Sequence, residues 1–325
     1  MLKKFLVLSL VFCSSASVFA KDVGMSGFTQ FQFSAGKAEN DSFAVKRARV
    51  KFTGNPDRRF FLNIHAEIAN KPLLLDAYGE YRLDKTLKIR TGQFKVPMSA
   101  EALTPATKQD LINKYRFISQ MLPPKCRDIG VMASGEFSED RVSYYAAVFN
   151  GSGPNAADND DSSFYVARMT GKPFSKFKTG VGFAGSHEEF KGTSKIEQGL
   201  GFTQYKKRIV QADLEFNVEK ISLKAECIKG KYVPDGFGIK EIRAEGIGVT
   251  GRCSVIPGKL SLAARYERHD PDDSVTNKKD EKWTTLGLNY SPAGKVKLQA
   301  NYISKKEAKD EADNDTFIVQ LQYCF

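Results

Sequence analysis

The chain lacks long apolar runs after its first twenty residues, where no stretch approaches the roughly 18 continuous apolar residues that a transmembrane helix needs. Imidazole bases are scarce: only His65, His187 and His269 occur, and no serine, histidine and carboxylate constellation stands out. We therefore expect no membrane-spanning helix, no enzyme activity and no catalytic residue. We also expect no cofactor.

Cysteines are few, and their spacing matches no metal-binding motif. Cys126, Cys227, Cys253 and Cys324 follow residue 20, and an even number invites disulfides in an oxidising compartment. If Cys227 and Cys253 lie on one hairpin centred near Asp235, Cys227 faces a position near Arg243 instead of Cys253. We expect all four thiols to be free or weakly paired, and no bound metal.

The first twenty residues have the features of a secretory signal peptide. Lys3 and Lys4 precede an apolar run from Phe5 to Phe12, and small residues lead to Ala20. We predict cleavage after Ala20 and no lipid anchor, because the bulky Phe12 precedes Cys13. Residues 21–325 are then predicted to form a single domain.

Apolar and polar residues alternate through the rest of the chain, which is typical of strands with one apolar and one polar face. In Phe317 to Phe325 (FIVQLQYCF), Gln320, Gln322 and Cys324 fall on the polar face. Sixteen such segments can be counted if residues 187–207 form one long connection or extend the next strand. Strands of this kind can show apolar groups to lipid and polar groups to water.

These segments predict an all-β fold, a 16-stranded antiparallel transmembrane β-barrel in the bacterial outer membrane. The last strand should close against Val23 to Ser34 and direct Cys324 inward. Residues 96–127 interrupt the pattern, with a predicted helical turn over Pro105 to Asn113 that Thr104 would cap. In a wide barrel we expect this loop to fold inward and narrow the pore.

Basic residues outnumber acidic ones, with 49 Lys and Arg against 38 Asp and Glu. A basic excess often indicates nucleic acid binding, but export from the cytoplasm argues against that partner. Small anionic solutes, outer-membrane lipid and the phosphates of lipopolysaccharide are the partners that we expect. The acidic run Asp158 to Asp161 could bind calcium, although we expect a solvated loop tip.

Several segments resemble the phosphate-selective porin O and P family of Gram-negative outer membranes. They are KRARVKFTG (Lys46 to Gly54), GQFKVPMSAEAL (Gly92 to Leu103), RDIGVMASG (Arg127 to Gly135) and VFNGSGPN (Val148 to Asn155), which occur in that order. The resemblance implies a 16-stranded barrel, a homotrimer, a third extracellular loop folded into the pore, and lumen arginines that guide anions.

The predicted function is that of an outer-membrane porin, a passive diffusion channel with a preference for anions such as phosphate or polyphosphate. Its candidate anion pathway consists of Arg47, Arg49, Arg90, Lys95, Arg127 and Arg168. Alternatively, Arg47 and Arg49 pair with lumen carboxylates such as Glu67 or Asp76.

Two other functions remain open: a general, weakly selective porin, and a surface adhesin or structural barrel with an occluded pore. Occlusion would require apolar side chains at lumen positions. The predicted lumen positions are mostly polar or charged, which disfavours it.

Overall fold

The structure is a computed structural model that describes residues 23–36, 39–69, 73–139, 141–158, 162–186, 205–234, 241–273, 280–307 and 314–325. The predicted signal peptide, the residues 187–204 that decided the strand count, and most of the acidic run at Asp158 to Asp161 lie outside these ranges.

Sixteen antiparallel strands form one closed barrel in which each strand pairs with its neighbours in sequence. The strands are β1 (Val23–Gly36), β2 (Glu39–Asp57), β3 (Phe60–Glu67), β4 (Leu73–Arg82), β5 (Lys88–Lys95), β6 (Arg127–Phe137), β7 (Val142–Phe149), β8 (Phe164–Phe174), β9 (Phe177–Ser186), β10 (Tyr205–Val218), β11 (Ile221–Pro234), β12 (Ile242–Ile256), β13 (Leu260–Asp270), β14 (Glu281–Ala293), β15 (Val296–Glu307) and β16 (Thr316–Cys324). The predicted fold class and strand number are confirmed.

The alternation of the sequence accounts for the two faces of the sheet. On β3, Leu62 and Ile64 are exposed on the outside, whereas Asn63 and Glu67 are buried on the inside. Strand side chains alternate between faces, so one sequence can meet lipid and a polar interior at once. None of the described helices is long and apolar enough to cross a membrane.

The barrel closes where β1 meets β16, as the sequence predicts. Gln30 lies opposite Gln322 and Gln32 opposite Gln320, and each pair shares a side-chain hydrogen bond, of 2.7 and 2.8 Å respectively. Cys324 lies on the same inner face, 3.5 Å from Gln322 Nε2. The predicted inward direction of Cys324 is therefore confirmed.

The cysteines are free, as expected. Cys227 lies opposite Ile247, and Cys253 lies opposite Ile221. The predicted partner position near Arg243 was wrong by four residues, because the hairpin centres two residues later than Asp235. Cys227 and Cys253 are exposed on the outside of the barrel.

Residues 96–126, called here the inner loop, connect β5 to β6 at the barrel end opposite Val23 and Phe325. They contain α1 (Ala100–Leu103), α2 (Arg116–Met121) and two short 3₁₀ helices, Ala106–Lys108 and Pro124–Cys126. The predicted turn over Pro105 to Asn113 is wrong in extent: only Ala106–Lys108 is helical, and Thr104 instead ends α1. Ser99 caps α1 by accepting a 3.0 Å hydrogen bond from Ala102 N.

The inner loop lies against the inner faces of β11 to β15. Ile112 N donates to Asn301 Oδ1 at 2.8 Å, and Lys297 Nζ donates to Gln109 O at 2.7 Å. Arg265 bridges the loop at two places, with 2.8 Å to Asn113 O and 2.9 Å to Glu101 Oε1. These contacts tie the loop to the far wall of the barrel.

An apolar core fills part of the barrel interior. Phe117, Ile118 and Met121 of the inner loop are fully buried, and they belong to a cluster that includes the inward side chains Phe149, Phe164, Val166, Ala184, Ile209, Ile228, Tyr232 and Ala244 of the wall. The expectation of mostly polar lumen positions therefore fails where the inner faces of β7 to β12 meet this cluster. Those positions are apolar because they pack against the loop and not against water, whereas Arg168, Gln211, Asp213 and Glu226 on the same strands keep polar groups inside.

Inward-facing glycines make room for the loop. A Cβ atom added at Gly248 would lie 2.3 Å from the Tyr115 ring, and one at Gly246 would lie 2.3 Å from Phe117. Tyr115 and Phe117 stack with ring centroids 5.0 Å apart. The two glycines of β12 thus allow this stacked pair to sit directly against the strand.

Gly248→Val should displace Tyr115 and expose the inner loop, since the valine side chain and the Tyr115 ring cannot occupy the same space. Limited trypsin digestion of the folded barrel should then cut after Lys114 or Arg116, sites that the wild type protects. Gly251→Val is the matched control, because a Cβ at Gly251 meets no atom within 4 Å. Suppose that both variants are equally protected from trypsin and that heat-modifiable gel migration shows both barrels to be folded. That result would contradict the packing of the inner loop against β12.

Candidate functional site

A cavity of about 530 Å³ lies between the inner loop and the inner faces of β1 to β6. Leu103, Pro105 and Thr107 line it from the loop, and Cys324 and Phe325 line it at the end of the chain. Five cations line it as well: Arg49, Lys51, Arg90, Lys95 and Arg127. The part of the barrel that the apolar core leaves free is therefore bordered by positive charge.

Arg49 and Arg127 of the predicted pathway each hold a buried carboxylate in this wall. Arg49 Nε lies 2.8 Å from Glu67 Oε2. Arg127 binds Asp76 through two nitrogens, at 2.8 and 3.0 Å, and His65 Nδ1 lies 2.8 Å from the same carboxylate. For Arg49 the alternative of pairing with Glu67 is confirmed. These pairs fix the wall and leave the guanidinium groups partly neutralised.

Arg90 is half-buried and shares one carboxylate with a second arginine. Its Nη2 lies 2.5 Å from Glu80 Oε2, while Arg82 Nε lies 2.8 Å from Glu80 Oε1. The Arg90 guanidinium also lies over the Tyr78 ring, 4.3 Å from its centroid. Two arginines on one carboxylate leave a net positive charge on this part of the wall.

Lys95 supports the inner loop, a role that the sequence did not reveal. Its Nζ donates to the carbonyl oxygens of Ala102, Leu103 and Thr104 at 2.7 to 3.2 Å. Lys114 Nζ donates to Ala102 O at 2.7 Å from the other side, and burial lowers the pKa of this lysine. The two lysines thus hold the carboxyl end of α1.

Arg47 and Lys51 are the cations of β2 without a carboxylate partner among the described residues. Arg47 donates to Gln30 Oε1 at 2.7 Å, and no hydrogen bond or ion pair of the Lys51 side chain is found there. Arg47, Arg49 and Lys51 alternate with outward residues, so they form a series along one inner face with steps of about 6.8 Å. Lys51 is absent from the anion pathway predicted from the sequence, although its position two residues after Arg49 was the available signal.

Arg168 lies away from the other candidates. It is buried on β8, where its Nη2 lies 2.5 Å from Asp213 and its Nη1 donates to Gln211 at 2.7 Å and to Met98 O at 3.1 Å. The cavity described above does not include it. Arg168 therefore anchors the start of the inner loop to β8 and β10.

The wall between β2 and β6 keeps a positive excess after pairing. Three carboxylates, Glu67, Asp76 and Glu80, are hydrogen-bonded to arginines there. The cations around them are Arg47, Arg49, Lys51, Arg82, Arg90, Lys95 and Arg127. A narrow passage lined by more cations than anions attracts anions and repels cations. Within the described residues, no group of His, Cys, Asp or Glu is arranged to hold a metal ion.

A closed 16-stranded barrel with an inner loop and a polar passage defines the class of outer-membrane channel proteins. A sequence model of the family described as phosphate-selective porin O and P matches residues 24–232 and 255–325. The chain belongs to this family, and its barrel is of the kind that lies in the bacterial outer membrane.

Solved porin structures share the fold at low sequence identity. An anion-selective porin from Comamonas acidovorans has a TM-score of 0.71 at 11% identity, covering 93% of this chain and 99% of that one. The outer membrane channel DcaP of Acinetobacter baumannii has a TM-score of 0.68 at 13% identity, covering 94% and 97% respectively. An uncharacterized protein of Aquifex aeolicus is 24% identical over 297 residues, 78% of this chain and 68% of its own length.

Arg127→Met should destabilise the folded protein by about 3 kcal/mol, because it removes the guanidinium that binds the buried Asp76 through two nitrogens. Lys51→Met is the matched control in the same cavity, and it should change the free energy of unfolding by less than about 0.5 kcal/mol. Urea unfolding in lipid vesicles, followed by the fluorescence of Trp283, measures both. Equal losses of unfolding free energy in the two variants would show that Arg127 does not stabilise the fold through Asp76.

Proposed function

We propose that the protein is a passive diffusion channel that prefers small anions, which cross the barrel between the inner loop and the inner faces of β1 to β6. The series Arg47, Arg49 and Lys51 on β2 carries this proposal. Successive cations about 6.8 Å apart can pass an anion from one to the next. Conduction needs such weak, repeated sites, because a single tight site would retain the ion.

Broad anion preference fits the wall better than strict phosphate specificity. Arginine binds phosphate through two parallel hydrogen bonds, but Arg49 and Arg127 already use such donors on Glu67 and Asp76. A phosphate would have to displace these carboxylates. Phosphate therefore passes as one anion among several, with Lys51 acting as a point charge.

A homotrimer is the assembly that we propose, on the basis of family membership. The trimer form of OmpT from Vibrio cholerae has a similar fold, with a TM-score of 0.67 at 12% identity. Crosslinking in native membranes followed by mass measurement of the complex tests this assembly.

A structural barrel with an occluded pore is the second candidate, and the apolar core inside the barrel is the observation that favours it. Here the cavity would end blindly against the inner loop. Purified protein in planar bilayers separates the two functions, since an occluded barrel shows no single-channel conductance.

Reversal potentials under a potassium chloride gradient should indicate anion selectivity, and cation selectivity would contradict the proposal. Lys51→Glu should lower the anion-to-cation permeability ratio by about three- to tenfold, because it reverses an uncompensated charge within several ångströms of the passage. Arg47→Ala combined with Arg49→Ala should lower it as well. Lys176→Glu, at an exposed turn between β8 and β9, is the control with the same charge change and no expected effect.

A further inference from the structure

The outer face of the barrel carries two rows of three cations. Within each row, the cations lie directly opposite one another on neighbouring strands. In the first row Arg208 of β10 is paired with Lys231 of β11, and Lys231 is paired with Arg243 of β12. In the second row Arg268 of β13 is paired with Lys282 of β14, and Lys282 with Lys306 of β15. We call these the first and second cation rows.

The rows face outward and not into the lumen. Their neighbours along each strand, such as Lys207, Tyr232 and Ala244, are buried inside the barrel. The side chains of Arg243 and Lys282 are 59% and 51% exposed, and Arg208 and Lys306 are exposed as well. Alternation along a strand therefore directs all six row cations outward.

Like charges directly opposite on neighbouring strands destabilise a sheet. Carboxylates relieve part of this repulsion: Glu241 bonds both Lys231 and Arg243, and Arg268 lies 2.9 Å from Asp280 and 3.4 Å from Glu245. Within the described part of the chain, Arg208 and Lys306 have no such partner. In the second row Asp270 and Asp280 pair with Arg268, and Asp280 also lies 3.7 Å from Lys282, so its charge is nearly balanced. The first row keeps more cations than carboxylates.

Two adjacent cations increase the excess beside the first row. Lys206 is exposed two residues before Arg208 on the same outer face, again without a partner among the described residues. Lys229 lies 3.3 Å from Glu245. The first row and its two neighbours therefore make five cations, and among the described residues Glu241 and Glu245 are the carboxylates paired with them.

The height of the rows matches the boundary between lipid tails and headgroups. Toward the middle of the barrel, the outward residues become apolar within one step on β10 and β13, at Val210 and Tyr266, and within two steps on the other four strands, where Cys227, Ile247, Leu286 and Tyr302 are exposed. Two residues along a strand span about 6.8 Å. The rows lie at the end of the barrel that carries the inner loop and the longer connections, which in outer-membrane barrels is the extracellular end.

We propose that the first cation row, together with Lys206 and Lys229, binds the phosphate groups of the phosphorylated glycolipid of the outer leaflet, lipopolysaccharide. Neighbouring strands are about 4.8 Å apart, so three cations span about 10 Å and one phosphate can bridge two of them. Anionic headgroups supply the charge that the sheet lacks, while acyl chains cover the apolar band below. The proposal depends on the outer-membrane location of the proposed channel.

Native mass spectrometry of the purified, delipidated and refolded barrel with added lipopolysaccharide tests this surface. Arg208→Gln, Lys231→Gln and Arg243→Gln together should weaken binding by about 100-fold, roughly fivefold for each cation removed. Lys176→Gln, Lys220→Gln and Lys259→Gln remove the same charge from turns at the opposite end, and should leave binding unchanged. Lys206→Gln with Arg208→Gln is a milder pair in case the triple variant does not fold.

Equal binding of lipopolysaccharide by the row variant and its control would overturn the proposal. So would wild-type binding of dephosphorylated lipid A that is as strong as the binding of lipopolysaccharide. Full competition by millimolar inorganic phosphate would overturn it as well and indicate a site for free phosphate. A row variant that loses its oligomeric state while binding lipopolysaccharide normally would also overturn it and assign the rows to a second copy of the chain. Channel selectivity should be unchanged in the row variant, so failure of this proposal is distinguishable from failure of the proposed channel.

Discussion

The packing of the inner loop against one side of the barrel is the constraint on which the rest of the molecule depends. Phe117, Ile118 and Met121 are removed from water by the inward apolar side chains of β7 to β12. Burial of apolar area is the dominant stabilising contribution in protein folding. Because this core occupies one side of the interior, the passage of the proposed channel lies along the other side, beside β1 to β6. The loop therefore determines which wall can act on a solute.

Charge on the remaining wall serves two purposes. Arg49, Arg127 and Arg90 compensate buried carboxylates, and breaking such a pair is strongly destabilising. Arg47 and Lys51, without carboxylate partners among the described residues, leave the passage positive. Pairing holds the wall in shape, and in the proposed channel Arg47 and Lys51 are the cations that act on the solute. Outside the barrel, cations at the lipid boundary follow the same logic, with lipid phosphates as the proposed counter-charges.

Much of the fold could be predicted from the sequence, because strand alternation is local and repeats sixteen times. The inward face of the final strand was predicted correctly: Gln320, Gln322 and Cys324 all face the barrel interior. The apolar core could not be predicted in this way, since an inward valine or alanine on β8 or β9 looks irregular until the inner loop is known to lie beside it. The contacts of Lys95 and Arg168 with the loop could not be predicted either, because Lys95 binds carbonyl oxygens of an irregular segment and Met98 is distant in sequence from Arg168. Gly246 and Gly248, two residues apart on β12, were the signal in the sequence that another segment packs closely against the inside of this strand.

Chemical modification of Cys324 tests the position of the passage most directly. This thiol lines the cavity beside Arg49 and Lys51, whereas Cys126 is buried and Cys227 and Cys253 face outward. An anionic sulfonate-bearing thiol reagent should lower single-channel conductance and anion selectivity, and a cationic ammonium-bearing reagent should raise selectivity. Cys324→Ser should abolish both effects. Unchanged currents after modification of Cys324 has been verified by mass spectrometry would contradict a passage along β1 to β6.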